Sequence, residues 1–132
     1  MTAREPDAQE VRAAAAEIVD AFAATDGDRY FAGFAPEASF VFHTEAERLD
    51  DRAAYERLWR EWVDGGWRVR SCTSSNQHVQ TFPGGAVFAH DVDTTVDTGD
   101  GEDAYRERET IVFRADGDRL VAVHEHLSPF PA

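Results

Sequence analysis

The chain has 132 residues, of which 42% are apolar, with a formal net charge of −13 and a single cysteine, Cys72. That length suits one domain, residues 1–132, with a core that needs no covalent staples. One cysteine excludes an intrachain disulfide and a cysteine-based zinc site, and an acidic surface repels phosphate, which argues against nucleic acid and anionic membranes as partners.

All 13 basic residues are arginine. The first residues lack the basic start and apolar run of a secretory signal, and no stretch approaches the ~20 apolar residues of a membrane span. The expectation is a cytoplasmic protein.

Residues 7–25 read as a helix, because Val11, Ala15, Ile18, Val19 and Phe22 recur at three- and four-residue steps. Asp7, with Glu10 three residues on, has the spacing of a capping box. A short helix follows over 29–34, ended by Ala35-Pro36-Glu37. Residues 38–44 alternate as a strand, with Phe40 and Phe42 opposite Val41 and His43. A third helix spans 51–63, with Asp50 as its cap and Tyr55, Leu58, Trp59 and Trp62 on one face. Gly65-Gly66 stops it.

The second half reads as strands over 67–82, 86–98, 104–115 and 119–127, separated by Pro83-Gly84-Gly85, Gly99-Asp100-Gly101 and Asp116-Gly117-Asp118. Ser128-Pro129-Phe130-Pro131 is read as the end of the ladder. Helices followed by an antiparallel meander make an α+β protein, in which long twisted strands curl around the helices and leave a gap beneath them.

Three segments carry a family resemblance: DGDRYFAGFAPEASFVFH at 26–43, DDRAAYERLWREW at 50–62, and above all RERETIVFRADGDRLVAVHEHLS at 106–128, whose last strand ends in His-x-His-x-Ser. With the element order, they make the chain similar to the SnoaL-like group of the nuclear-transport-factor-2-like superfamily. The resemblance implies a cone-shaped, curved antiparallel sheet wrapped around N-terminal helices, a pocket between them, and dimers formed through the outer face of the sheet. Members include isomerases, cyclases, dehydratases and hydrolases of small hydrophobic molecules, and also proteins that only bind or assemble. Fold alone does not choose among these.

Among residues with chemistry to offer, His124 and His126 share one strand face by the two-residue period, together with Ala122 and Ser128, while Glu125 faces the other way with Leu127. Two imidazoles on one face can bind a metal, given a third ligand such as His43 or His90, or serve as acid and base; the acid–base reading makes both the candidate catalytic residues. Tyr30, His43, Tyr55, Trp59, Trp62, His90, Arg108 and Ser128 are candidate ligand-binding residues, with Glu109 an alternative to Arg108. The tyrosines and tryptophans equally suit a packed core. No motif calls for a metal or a cofactor. Asp91, Asp93 and Asp97 read as a solvated acidic face rather than a calcium site. Cys72 reads as a structural thiol.

Residues 110–113 and 120–123 are apolar on both faces, which leads us to expect a homodimer that covers the outer one. The expected partner is a small-molecule ligand. Three readings stay open: an acid–base enzyme, a non-catalytic binding module, and an assembly domain.

Overall fold

The computed structural model describes residues 3–131. The elements run α1 (Ala8–Ala23), α2 (Gly27–Ala32), β1 (Phe34–Phe42), α3 (Arg52–Asp64), β2 (Arg68–Phe82), β3 (Gly85–Asp97), β4 (Glu102–Asp116) and β5 (Arg119–Pro129). The strands form one curved, unclosed sheet in the order β1-β5-β4-β3-β2. Only the β1–β5 pair is parallel; the other neighbours are antiparallel.

The helices start where side chains satisfy free backbone donors. The Asp7 carboxylate accepts from the Glu10 amide at 2.8 Å, while the Glu10 side chain turns away to pair with Arg4. The capping box is thus half made. In α3 the cap is Asp51, which accepts from the Ala54 amide at 2.8 Å; Asp50, expected to cap, pairs with Arg48 instead. Asp51 wins because it has extended backbone one residue before the helix, from which its carboxylate reaches the third amide.

Besides α2, read at 29–34 and found at Gly27–Ala32, two strand boundaries differ from the sequence reading. β1 starts at Phe34 and runs through Pro36, with its register against β5 broken between Phe34 and Ser39. Proline is tolerated because β1 is an edge strand. β5 continues to Pro129, opposite Glu107, and the Phe130 amide donates to the Arg106 carbonyl. A terminal proline can pair through its carbonyl, so the ladder ends two residues later than read, at the proline itself.

The inner face of the sheet carries the core. Ala86, Phe88, Ile111, Phe113, Leu120 and Ala122 meet Val11, Ala15 and Ile18 of α1 and the rings of α2 and α3. Tyr30 stacks on Trp59 at 5.1 Å, and Phe31 stands edge-on to Tyr55 at 5.0 Å. α2 comes this close because Gly27 lies against Trp59: a Cβ there would sit 2.9 Å from the indole nitrogen.

One irregularity in β5 matters for all that follows. Val112 faces His124, yet the next β4 residue, Phe113, faces Ala122. Val123 is the extra residue of a β-bulge, and the two-residue period changes phase across it. Ala122 therefore lies on the inner face, opposite Phe113, whereas His124 and His126 lie on the outer one. The four-residue set Ala122, His124, His126 and Ser128 expected from unbroken alternation is split. β2 has similar shifts, between Val69 and Ser71 and between Ser75 and His78, the second beside Asn76, whose φ is 51°.

The two aspartates before α3 give a direct check. Asp51→Ala should cost about 1 kcal/mol, a fall of a few degrees in Tm, whereas Asp50→Ala should leave Tm unchanged within about a degree. Equal losses in thermal melts of the two variants would show that neither side chain alone caps the helix.

Candidate functional site

Between the inner sheet face and the helices lies a cavity of about 470 Å³. Its apolar wall comes from Ile18, Val19 and Phe22 of α1, Trp62 of α3, and Trp67. Phe22 and Trp62 stand 6.0 and 5.3 Å from the Trp67 ring. The opposite wall is polar. Glu107 and Glu109 alternate on β4 with Ile111 and Phe113, so both carboxylates point inward. Glu125, on β5 opposite Ile111, points the same way and is 1% exposed.

Each of these carboxyl groups is held by a separate partner. His43, just after β1, lies 2.5 Å from Glu107 through Nε2. His90 of β3 is buried; its Nε2 donates to Glu109 at 2.6 Å, and its Nδ1 meets the Ser74 hydroxyl at 2.6 Å. The Tyr30 hydroxyl donates to Glu125 at 3.3 Å and lies 3.0 Å from the Tyr55 hydroxyl. Since Tyr30 has one proton and gives it to Glu125, Tyr55 donates to Tyr30. Glu125 and Glu109 share a further hydrogen bond, side chain to side chain.

Two carboxyl groups can bond only if one keeps its proton, and the environment decides which. Burial, then the Glu109 charge, push Glu125 well above the ordinary carboxyl value. Glu125 is therefore the acid and Glu109, which accepts from His90, the carboxylate. The line of donation runs Tyr55 to Tyr30 to Glu125 to Glu109, with His90 entering from the other end. Burial also raises Glu107, against the opposing pull of His43. It pushes the Cys72 thiol up to about 11, so that sulfur stays protonated and weakly nucleophilic near neutral pH.

The residues singled out in the sequence fall into three places. Tyr30, His43, Tyr55 and Trp62 line the cavity. His90 stands behind Glu109, and Trp59 is in the core, bordering a shallow groove beside Gly27. Arg108, Ser128, His124 and His126 lie on the outer face. There Arg108 faces Ser128 across the β4–β5 ladder, and its guanidinium sits 5.1 Å from the Phe130 ring. His124 bonds Ser39 through Nδ1 at 2.8 Å, and partial burial, then His126, hold its pKa below the usual histidine value. The alternative of Glu109 for Arg108 fits the cavity, because odd-numbered β4 residues face inward.

Glu107 and Glu125 were not singled out. Their signal was legible: Glu107, Glu109, Ile111 and Phe113 share one face by period two, and Glu125 shares one with Leu127. A carboxylate in register with core residues is either an error or a site.

The sequence profile of the SnoaL-like domain matches residues 11–132. The chain belongs to the SnoaL-like domain family. No curated protein matches it in sequence. Among solved structures, it is similar to an NTF2-like protein from Cytophaga hutchinsonii, with TM-score 0.80 and 9% identity over 95% of this chain and 100% of that one. The CaMKII hub of S. rosetta follows, with TM-score 0.77 and 21% identity over 95% and 98%. An NTF2-like protein from Rhodospirillum rubrum gives 0.79 and 16% over 92% and 98%. These identities establish a shared fold and nothing finer. No helix among the described residues is long and apolar enough to cross a membrane.

The raised Glu125 has a thermodynamic consequence. Above pH 4.5, the ordinary carboxyl value, unfolded Glu125 loses its proton while folded Glu125 keeps it. The native state then binds more protons, so the contribution of this group, complete below that value, is lost as pH rises towards the folded pKa. Glu125→Gln keeps a donor for Glu109 and an acceptor for Tyr30 without the titration. It should raise Tm relative to wild type, and the gap should widen from pH 5 to pH 8. Parallel Tm curves for the two proteins would show that Glu125 titrates alike in the folded and unfolded states.

Proposed function

We propose that this SnoaL-like protein binds a small, partly apolar molecule in its cavity and acts on it by proton transfer. The family includes enzymes as well as non-catalytic hub and ligand-binding domains. One arrangement carries the reading: two carboxyl groups, Glu125 and Glu109, lie buried side by side at the wall of an aromatic cavity, where burial and the Glu109 charge favour the protonated form of Glu125. Such a pair holds a proton donor and a proton acceptor side by side, which is what acid–base catalysis needs.

The roles follow from the hydrogen bonds. Glu125 is the proton donor, and Tyr30, itself bonded to Tyr55, donates to its carboxyl oxygen. Glu109, oriented by His90, takes the proton back. The His43–Glu107 pair, nearer the cavity mouth, is a second proton acceptor within the same space. This reading assigns acid–base work to the carboxyl wall rather than to His124 and His126, which face away from the cavity. The reaction belongs to the isomerase, cyclase or hydrolase class, in which a substrate oxygen or carbon exchanges a proton.

A second reading concerns the outer face. Arg106 reaches Asp93 at 3.4 Å and Asp91 at 3.7 Å across β3 and β4, beside Val87, Val112, His124 and His126. A face that mixes both charges with half-buried valines is self-complementary, as a two-fold interface requires. We propose a homodimer through it. Sedimentation at micromolar concentration should give twice the chain mass, and Val112→Glu should give the monomer. A wild-type monomer would end this second reading and leave the cavity reading standing.

The cavity reading is tested by fluorescence. Uncharged aromatic probes such as 1-naphthol should quench the tryptophan emission of wild type saturably, and Trp62→Phe should lose a substantial part of that response. An unsaturable response, or one unchanged in Trp62→Phe and in Trp67→Phe, would exclude binding in the cavity.

A further inference from the structure

We infer that the natural occupant of the cavity is a small organic cation, an apolar body carrying a protonated amine. The inference rests on the reading that the cavity holds a ligand; what it adds is the chemistry of that ligand.

Three features of the cavity point the same way. The first is charge. Besides the protonated Glu125, the carboxylates of Glu107 and Glu109 line its wall, with Glu45 and Asp103 lining it as well, yet none of the chain's 13 arginines does. Its one lining histidine, His43, is already paired with Glu107. An anionic ligand would enter a space that offers it no free cation, whereas an ammonium group gains from each carboxylate in a site partly screened from water.

The second is the direction of the hydrogen bonds. Tyr55, Tyr30 and Glu125 each spend their proton on the next member of the line, and both histidines donate to carboxylates. The buried polar wall therefore offers an occupant acceptor oxygens: those of Glu107 and Glu109 and the lone pairs of Tyr55. An ammonium group, with hydrogens to donate and nothing to accept, complements such a wall; a carboxylate or a phosphate does not.

The third is the opposite wall. Phe22, Trp62 and Trp67 present ring faces and edges to the same space, and Tyr105 stands at its rim. Aromatic rings bind an organic cation through both its apolar body and its charge. The cavity and its rings make the site, and the carboxylates select the sign of its occupant.

Three probes of like size and different charge separate these effects: 1-naphthylmethylamine, 1-naphthalenemethanol and 1-naphthoate, titrated by calorimetry at pH 7.5. The amine should bind at least about tenfold more tightly than the alcohol, and the naphthoate more weakly than either. In wild type, raising sodium chloride should weaken the amine and leave the alcohol unchanged, since salt screens only the charged pair. Glu107→Gln should cut the amine's advantage to about threefold or less with little change for the alcohol. If the alcohol or the naphthoate binds as tightly as the amine, or if salt acts equally on amine and alcohol, the cation inference is wrong while the cavity reading survives. If none of the three binds, the cavity reading fails and takes the inference with it. The salt series needs no variant, so the result stands even if Glu107→Gln does not fold.

Discussion

Val123, the extra residue in β5, sets which side chains of the last strand meet the helices. Before it, Leu120 and Ala122 face inward and complete the core against Phe113 and Ala115. After it, the inward positions are Glu125 and Leu127, and the imidazoles of His124 and His126 turn outward. A strand without the bulge would keep Ala122 and His124 on one face, so burying the first would bury the second. The change of phase lets one strand serve a packed core at one end and a polar cavity wall at the other.

A carboxyl group at 1% exposure is costly unless it is neutral or fully paired. Glu125 is both. Its proton goes to Glu109, and Tyr30 donates to its oxygens, so no charge is left alone in the apolar interior. Tyr30 is fixed in turn by Trp59, Phe22 and Phe34, rings from three other elements. The short helix α2 has no length to be stable by itself. It is held by this ring packing, with Gly27 letting it approach Trp59, and so the hydroxyl that satisfies Glu125 is anchored by the core.

The two faces of the sheet divide the chemistry of the chain. The inner face gathers carboxylates and rings around a half-open cavity, where partial exclusion of water strengthens each charge. The outer face mixes Arg106 and Arg108 with Asp91 and Asp93, where solvent screens the pairs and each is worth well under about 1 kcal/mol. Asp91 is the exception in burial, at 8% exposure, because Asn76 and Arg106 cover its carboxylate.

The order of elements, the α1 stripe, the aromatic face of α3 and the turns at Gly84, Gly99 and Gly117 were all legible in the sequence, because each depends on near neighbours: a period, a glycine or a breaking proline. The inward direction of Glu109 was legible for the same reason, through its two-residue step to Ile111 and Phe113. The cap of α3 was misread by one residue because two aspartates stand side by side and only the backbone conformation separates them. What the tertiary structure alone decided was the composition of the cavity. Apart from Glu107 and Glu109, two apart on β4, the groups that meet there (His43, His90, Glu125, Tyr30 and Tyr55) come from four other elements and the turn after β1, and no local spacing relates them. The phase of β5 depended on a bulge that Val123 does not announce, since valine suits a regular strand equally well. Alternation read without that bulge grouped His124 and His126 correctly with each other but joined them to Ala122, and it gave no means of knowing that the face they share turns away from the helices.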